Sequence, residues 1–259
     1  MKIEFDSSLI EQGVFLAARR DAGREQALHT AIDPLYSLPP GQAREDAFRR
    51  TYGEFFIRFR LDRPLRELID ERPLIGTCVA RGIVREAMRG KSEAAELLAR
   101  PGDAVSRRSE YTLVVQVCPE TLLTPERLYP RMRRELLHVH DMLDPSFQYT
   151  PPPLNRRDPV SNLRLDRYRI LWDIYVEGRL QREGRAERCN RQRLTALLQR
   201  AFGCDEHTAQ RACQRLFTAD QLSHPQLWHW ACEPAGLCSS DQPDFSPEFD
   251  AKTLETACP

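Results

Sequence analysis

Apolar residues recur with a helical period over most of this chain and show strand-like density in only one run. In residues 9–33, Leu9, Val14, Leu16, Ala17 and Leu28 mark a single helical region, ended by the turn signal Ser37-Leu38-Pro39-Pro40-Gly41-Gln42. Between 42 and 59, Ala47, Phe48, Tyr52, Phe55, Phe56 and Phe59 recur at spacings that put an aromatic stripe on one helix face, a core face by its composition. Arg63-Pro64 interrupts, and a shorter helix follows through Ile69. Residues 76–98 read as helical, with Gly90 a point of interruption, before the turn Arg100-Pro101-Gly102. The run 111–118 (YTLVVQVC) is short, β-branched and almost wholly apolar, which predicts a strand covered on both faces. A second, shorter strand is expected at 3–5.

Thr124-Pro125-Glu126 opens the next helix with a cap, a proline in the first turn and an acid at the positive end of the dipole. Leu128, Met132, Leu136, Leu137 and Leu143 carry it to a stop before Pro145. A proline-rich loop, 150–159, leads to a long core helix, 163–184, with Leu165, Tyr168, Leu171, Trp172, Tyr175 and Val176 on one broad face. Three short helices follow at 191–202, 205–217 and 224–232. The segment from Glu233 onward is rich in Pro, Ser and Asp and is expected to be poorly ordered. The fold class is therefore α+β, mainly helical with a small sheet. It divides into a domain over 1–185, a helical appendage over 186–232 and a tail over 233–259.

Composition narrows the partners. The 38 basic and 38 acidic side chains cancel, which argues against bulk nucleic acid or an anionic membrane surface. All but three of the basic residues (Lys2, Lys91, Lys252) are Arg. That bias reflects either genome composition or an arginine-lined site for carboxylates or phosphates. No window is apolar enough to span a membrane, and the N-terminal run does not read as an export signal. A cytoplasmic chain with its eight cysteines reduced is the expectation.

The chemistry concentrates in residues 134–144. Two metal ligands four residues apart on a helix lie about 40° apart around the axis and can grip one ion, while a Glu beside the first faces the metal-bound water. Here Glu135 and His138 supply the Glu and the second ligand, and Asp144 follows at the spacing of a third. The run Arg134-Glu135-Leu136-Leu137-His138-Val139-His140-Asp141-Met142-Leu143-Asp144 resembles the compact metzincin pattern His-Glu-x-x-His-x-x-Gly-x-x-Asp of zincin-type metallopeptidases. Two positions depart from it: Arg134 stands for the first His and Asp141 for the Gly. Arginine cannot deprotonate to ligate a cation. His140 cannot replace it, because two residues from His138 is about 200° around the helix.

The resemblance implies a zincin-like core, a zinc ion, and a peptide or protein substrate. It also implies that the strand before the helix lies along the substrate cleft. In an active form the metal would polarise the peptide carbonyl and acidify its water, and Glu135 would take the proton and return it to the leaving amine. With position 134 lost, a remaining ligand set would be His138, Asp144 and Glu177, with Asp141 and Asp173 as alternates; Asp173 and Glu177 share a face of the next long helix. The resemblance equally fits a degenerate relative that keeps the scaffold for binding. A carboxylate di-iron bundle would need a second Glu-x-x-His, and only one is present.

Two C-terminal features compete. Residues 191–217 form helix, Gly203 turn, helix, with Thr208, Gln210, Arg211 and Arg215 on the second, the spacing of a helix-turn-helix that binds DNA or a protein partner, or of an ordinary helical hairpin packed on the main domain. Cys204/His207 and His229/Cys232 each place two ligand types one turn apart, a spacing open to structural zinc or to buried thiols.

Overall fold

A computed structural model describes residues 1–87, 93–99, 111–152, 158–186 and 190–238. Gly90, the turn at 100–102, residues 153–157 of the proline-rich loop, Cys189, Cys258 and nearly all of the segment after Glu233 lie outside the described residues. The order is β1 (Lys2–Phe5), α1 (Ser7–Ala18), α2 (Ala22–Ile32), α3 (Gln42–Arg58), α4 (Arg63–Asp70), α5 (Pro73–Cys78), β2 (Val79–Glu86), β3 (Ala94–Ala99) and β4 (Tyr111–Val117). Then come α6 (Pro119–Leu122), α7 (Pro125–Leu143), α8 (Pro159–Arg182), α9 (Arg191–Phe202), α10 (Glu206–Thr218), α11 (His224–Cys232) and α12 (Ala235–Cys238). The chain is a mainly helical α+β protein, and no helix among the described residues is long and apolar enough to cross a membrane.

The four strands lie in the order β1-β2-β4-β3. β1, β2 and β4 run parallel, and β3 is antiparallel to β4 at the edge beside α7. β4 is an interior strand, with Leu113, Val114, Val115 and Val117 buried, as its apolar density requires. The strand that packs beside α7 is the edge strand β3, while β4, the strand before the helix, lies inside the sheet. A second correction concerns 76–98, which holds β2 and β3 in place of a helix. Val79 and Val84 bury in β2 between two neighbouring strands, and the helix-forming composition of Ala94–Ala99 gives way to pairing with β4. Residues 9–33 are also two helices, because the Asp21 carboxylate caps α2 through the Arg24 amide (2.9 Å).

The apolar core forms two clusters whose division falls inside α7. Leu128, Met132, Leu136 and Val139 join the sheet and α1–α6, whereas Leu137 joins α8–α12. α7 therefore presents one face to each half. Its remaining polar surface sits where the two halves meet.

Candidate functional site

The polar side of α7 faces α8, and the side chains that meet there decide what the motif can do. His138 Nε2 lies 3.0 Å from Asp173 Oδ1. The imidazole also stands edge-on to Trp172, ring centres 4.5 Å apart. One turn earlier, the Arg134 guanidinium is 3.3 Å from Glu135. Burial opposes the charge on Arg134, but Asp173, Glu135 and Glu177 outweigh it and hold the group protonated above its ordinary range. For Asp173 burial acts to raise the pKa, yet the hydrogen bond and charge of His138 and the charge of Arg134 keep it below the usual carboxylate value. The result is a polar cluster in which Arg134 pairs with Glu135, His138 hydrogen-bonds to Asp173, and Glu177 adds negative charge near Arg134.

The other sequence-predicted ligands are engaged elsewhere. Asp141, 1% exposed, accepts from Trp172 Nε1 (2.9 Å) and from Arg179 Nη1 (2.5 Å). Its role is to hold α8 against α7. Asp144 accepts from the Ser146 amide (2.8 Å) and so closes the turn after α7. Burial would raise its pKa, but the Ser146 bonds hold it down.

These donors do not fit a zinc ion. The first ligand position carries a fixed cation, and a guanidinium about 4 Å from a dication costs several kcal/mol even at an effective dielectric near 20. Among the described residues no three His, Cys, Asp or Glu side chains are grouped to hold a metal, in α7 or around Cys204, His207, His229 and Cys232. Cys78, Cys118, Cys204, Cys213 and Cys232 are free thiols. The second helix of the helix-turn-helix-like segment uses much of its polar surface locally: Thr208 bonds to Asp205, Gln210 to Glu206, and Arg215 lies over Trp230.

Arg134, Asp173 and Glu177 open onto a cleft of about 700 Å³ between α7, α8 and the start of α9. Glu93, Glu126, Arg127, Arg131, Arg185 and Arg193 complete its charged lining, and Ile170, Leu180, Leu194 and Leu197 its apolar lining. Arg131 is held by Glu93 (2.9 Å), whose side chain is almost fully buried. Motif reading missed these residues. The signal was present in the spacing of Arg127, Arg131 and Arg134, which share one face of α7. No family model, curated protein or solved structure matches this chain.

Proposed function

We propose that this chain is a degenerate zincin-like protein in which an internal guanidinium replaces the metal, and that it acts by binding a ligand in the α7–α8–α9 cleft and not by hydrolysis. The observation that carries the reading is Arg134. It occupies the first-ligand position and is paired with Glu135, with Asp173 and Glu177 supplying further negative charge. A cation there satisfies carboxylates that would otherwise sit together unbalanced.

The surrounding scaffold supports the zincin-like part of the reading. α7 follows β4 after the short α6, an antiparallel edge strand lies beside it, and α8 brings Asp173 to His138. The alternative, a non-catalytic module acting through residues 191–217, is less favoured, because α10 packs on both α8 and α9 and its polar side chains largely contact their own segment. Elemental analysis of the purified protein tests the proposal. Far less than one equivalent of zinc per chain is expected. Stoichiometric zinc that is lost in a His138→Ala variant would overturn it and restore a metalloenzyme reading.

A further inference from the structure

We propose that the cleft between α7, α8 and α9 is a site for a carboxylate carried on an apolar body, its head group against the arginines of α7 and its body against α8 and α9. This rests on the reading that the chain binds a ligand in this cleft without a metal, with Arg134 part of the wall. The walls differ in chemistry. On α7, Arg127, Arg131 and Arg134 project from successive turns, Arg131 about 6 Å and Arg134 about 10 Å beyond Arg127 along the axis by helical rise. Across from them, Ile170 of α8 and Leu194 and Leu197 of α9 are half-buried apolar side chains lining the same space.

Two observations point to an anion. Among the described residues, the Nε–H groups of Arg131 and Arg134 are buried without an acceptor, and an unmet buried donor is costly. A ligand oxygen that draws either guanidinium round by its terminal torsions would supply one. Arg127 and the Arg193 side chain, both exposed, form no ion pair with another described residue. The head group is assigned a single charge because Arg131, Arg134 and Arg185 already face Glu93, Glu135 and Glu71, while Glu126, Asp173 and Glu177 on the same lining disfavour a second negative charge. A guanidinium fork matches a carboxylate in geometry as well as in charge. The volume of about 700 Å³ is in the range of small-molecule sites, and an apolar wall with a few charged groups is their usual make-up.

Isothermal titration of the full chain with octanoate tests this, with acetate, octylammonium and inorganic phosphate as comparisons. Octanoate is expected to bind at least about tenfold more tightly than acetate or octylammonium, since neither charge nor apolar body suffices alone. The double variant Arg127→Gln/Arg193→Gln, at exposed positions, should weaken octanoate about tenfold without loss of helicity, and Leu194→Ser should weaken it separately. Octanoate binding no tighter than acetate, binding indifferent to the arginine variants, or tighter binding of inorganic phosphate would each overturn the proposal. Failure here with zinc absent from the wild type leaves the metal-free reading standing. Zinc bound through His138 would instead remove the premise.

Discussion

His224 is 6% exposed, and its ring is enclosed by Phe147, Tyr149 and Tyr168. Its Nδ1 lies 2.7 Å from the Tyr168 hydroxyl, which burial keeps protonated and able to donate. Burial pushes the imidazole down to about 4. The unfolded chain takes up this proton near pH 6.5, and the folded one does so only near 4. Stability from this group is therefore complete above about 6.5 and is lost as the pH falls toward 4, by about 3 kcal/mol. His140, also lowered by burial, acts with the same sign. Carboxylates held low, such as Asp173 and Glu183, matter at lower pH. Urea midpoints between pH 7.5 and 4.5 should fall steeply in the wild type and much less in His224→Phe. A flat wild-type profile would contradict the assignment.

Asp141 supplies a second prediction at this scale. Asp141→Ala leaves the Arg179 guanidinium and the Trp172 indole N–H without their acceptor, which should cost about 3–5 kcal/mol in chemical denaturation. A loss below 1 kcal/mol would show that water replaces the carboxylate. The sequence marks Asp141 as polar on an apolar-rich helix, but its partners depend on how α8 is rotated against α7. That is why it reads as a candidate ligand in sequence and is a structural anchor in the fold.

Among the elements, the C-terminal helices were legible almost to the residue. Asn190, Asp205 and Ser223 each accept from an amide of the turn that follows, and Gly203 closes α9 in a left-handed conformation. The strands β2 and β3 were not legible, because their local composition is helix-compatible and only pairing with β1 and β4 settles them. One contact within the second cluster is set by a missing side chain. A Cβ on Gly178 of α8 would lie 2.2 Å from the Phe217 carbonyl oxygen of α10. Gly178→Ala should therefore part these helices and destabilise the fold by about 2–3 kcal/mol or more. Gly53→Ala, where α3 leaves open space, should be neutral or stabilising by up to about 1 kcal/mol. Equal thermal shifts for the two would show that no close approach exists at Gly178.

At the scale of the molecule, the two clusters are joined by α7 and by ion pairs that cross between them. Arg72 donates to Glu183 through both terminal nitrogens, Nη1 and Nη2 (3.0 and 2.6 Å), and Glu71 accepts from both Arg133 and Arg185. These pairs tie the α4–α5 corner to the end of α8 and so help fix the cleft between α7 and α8. The arginine-rich composition hinted at anion recognition, but which arginines serve ion pairs and which line the cleft emerges only from the tertiary fold. In the proposed reading, Arg134 takes the position of a first metal ligand, and its fixed charge keeps a dication away from His138. Equilibrium dialysis of zinc at neutral pH against the wild type and Arg134→His tests it most directly. The substitution removes a fixed positive charge and sets an imidazole one turn before His138, on the side of the cleft that holds Asp173 and Glu177. About one equivalent of zinc is expected on the variant and little on the wild type. Zinc on neither, with both proteins folded by circular dichroism, would contradict it.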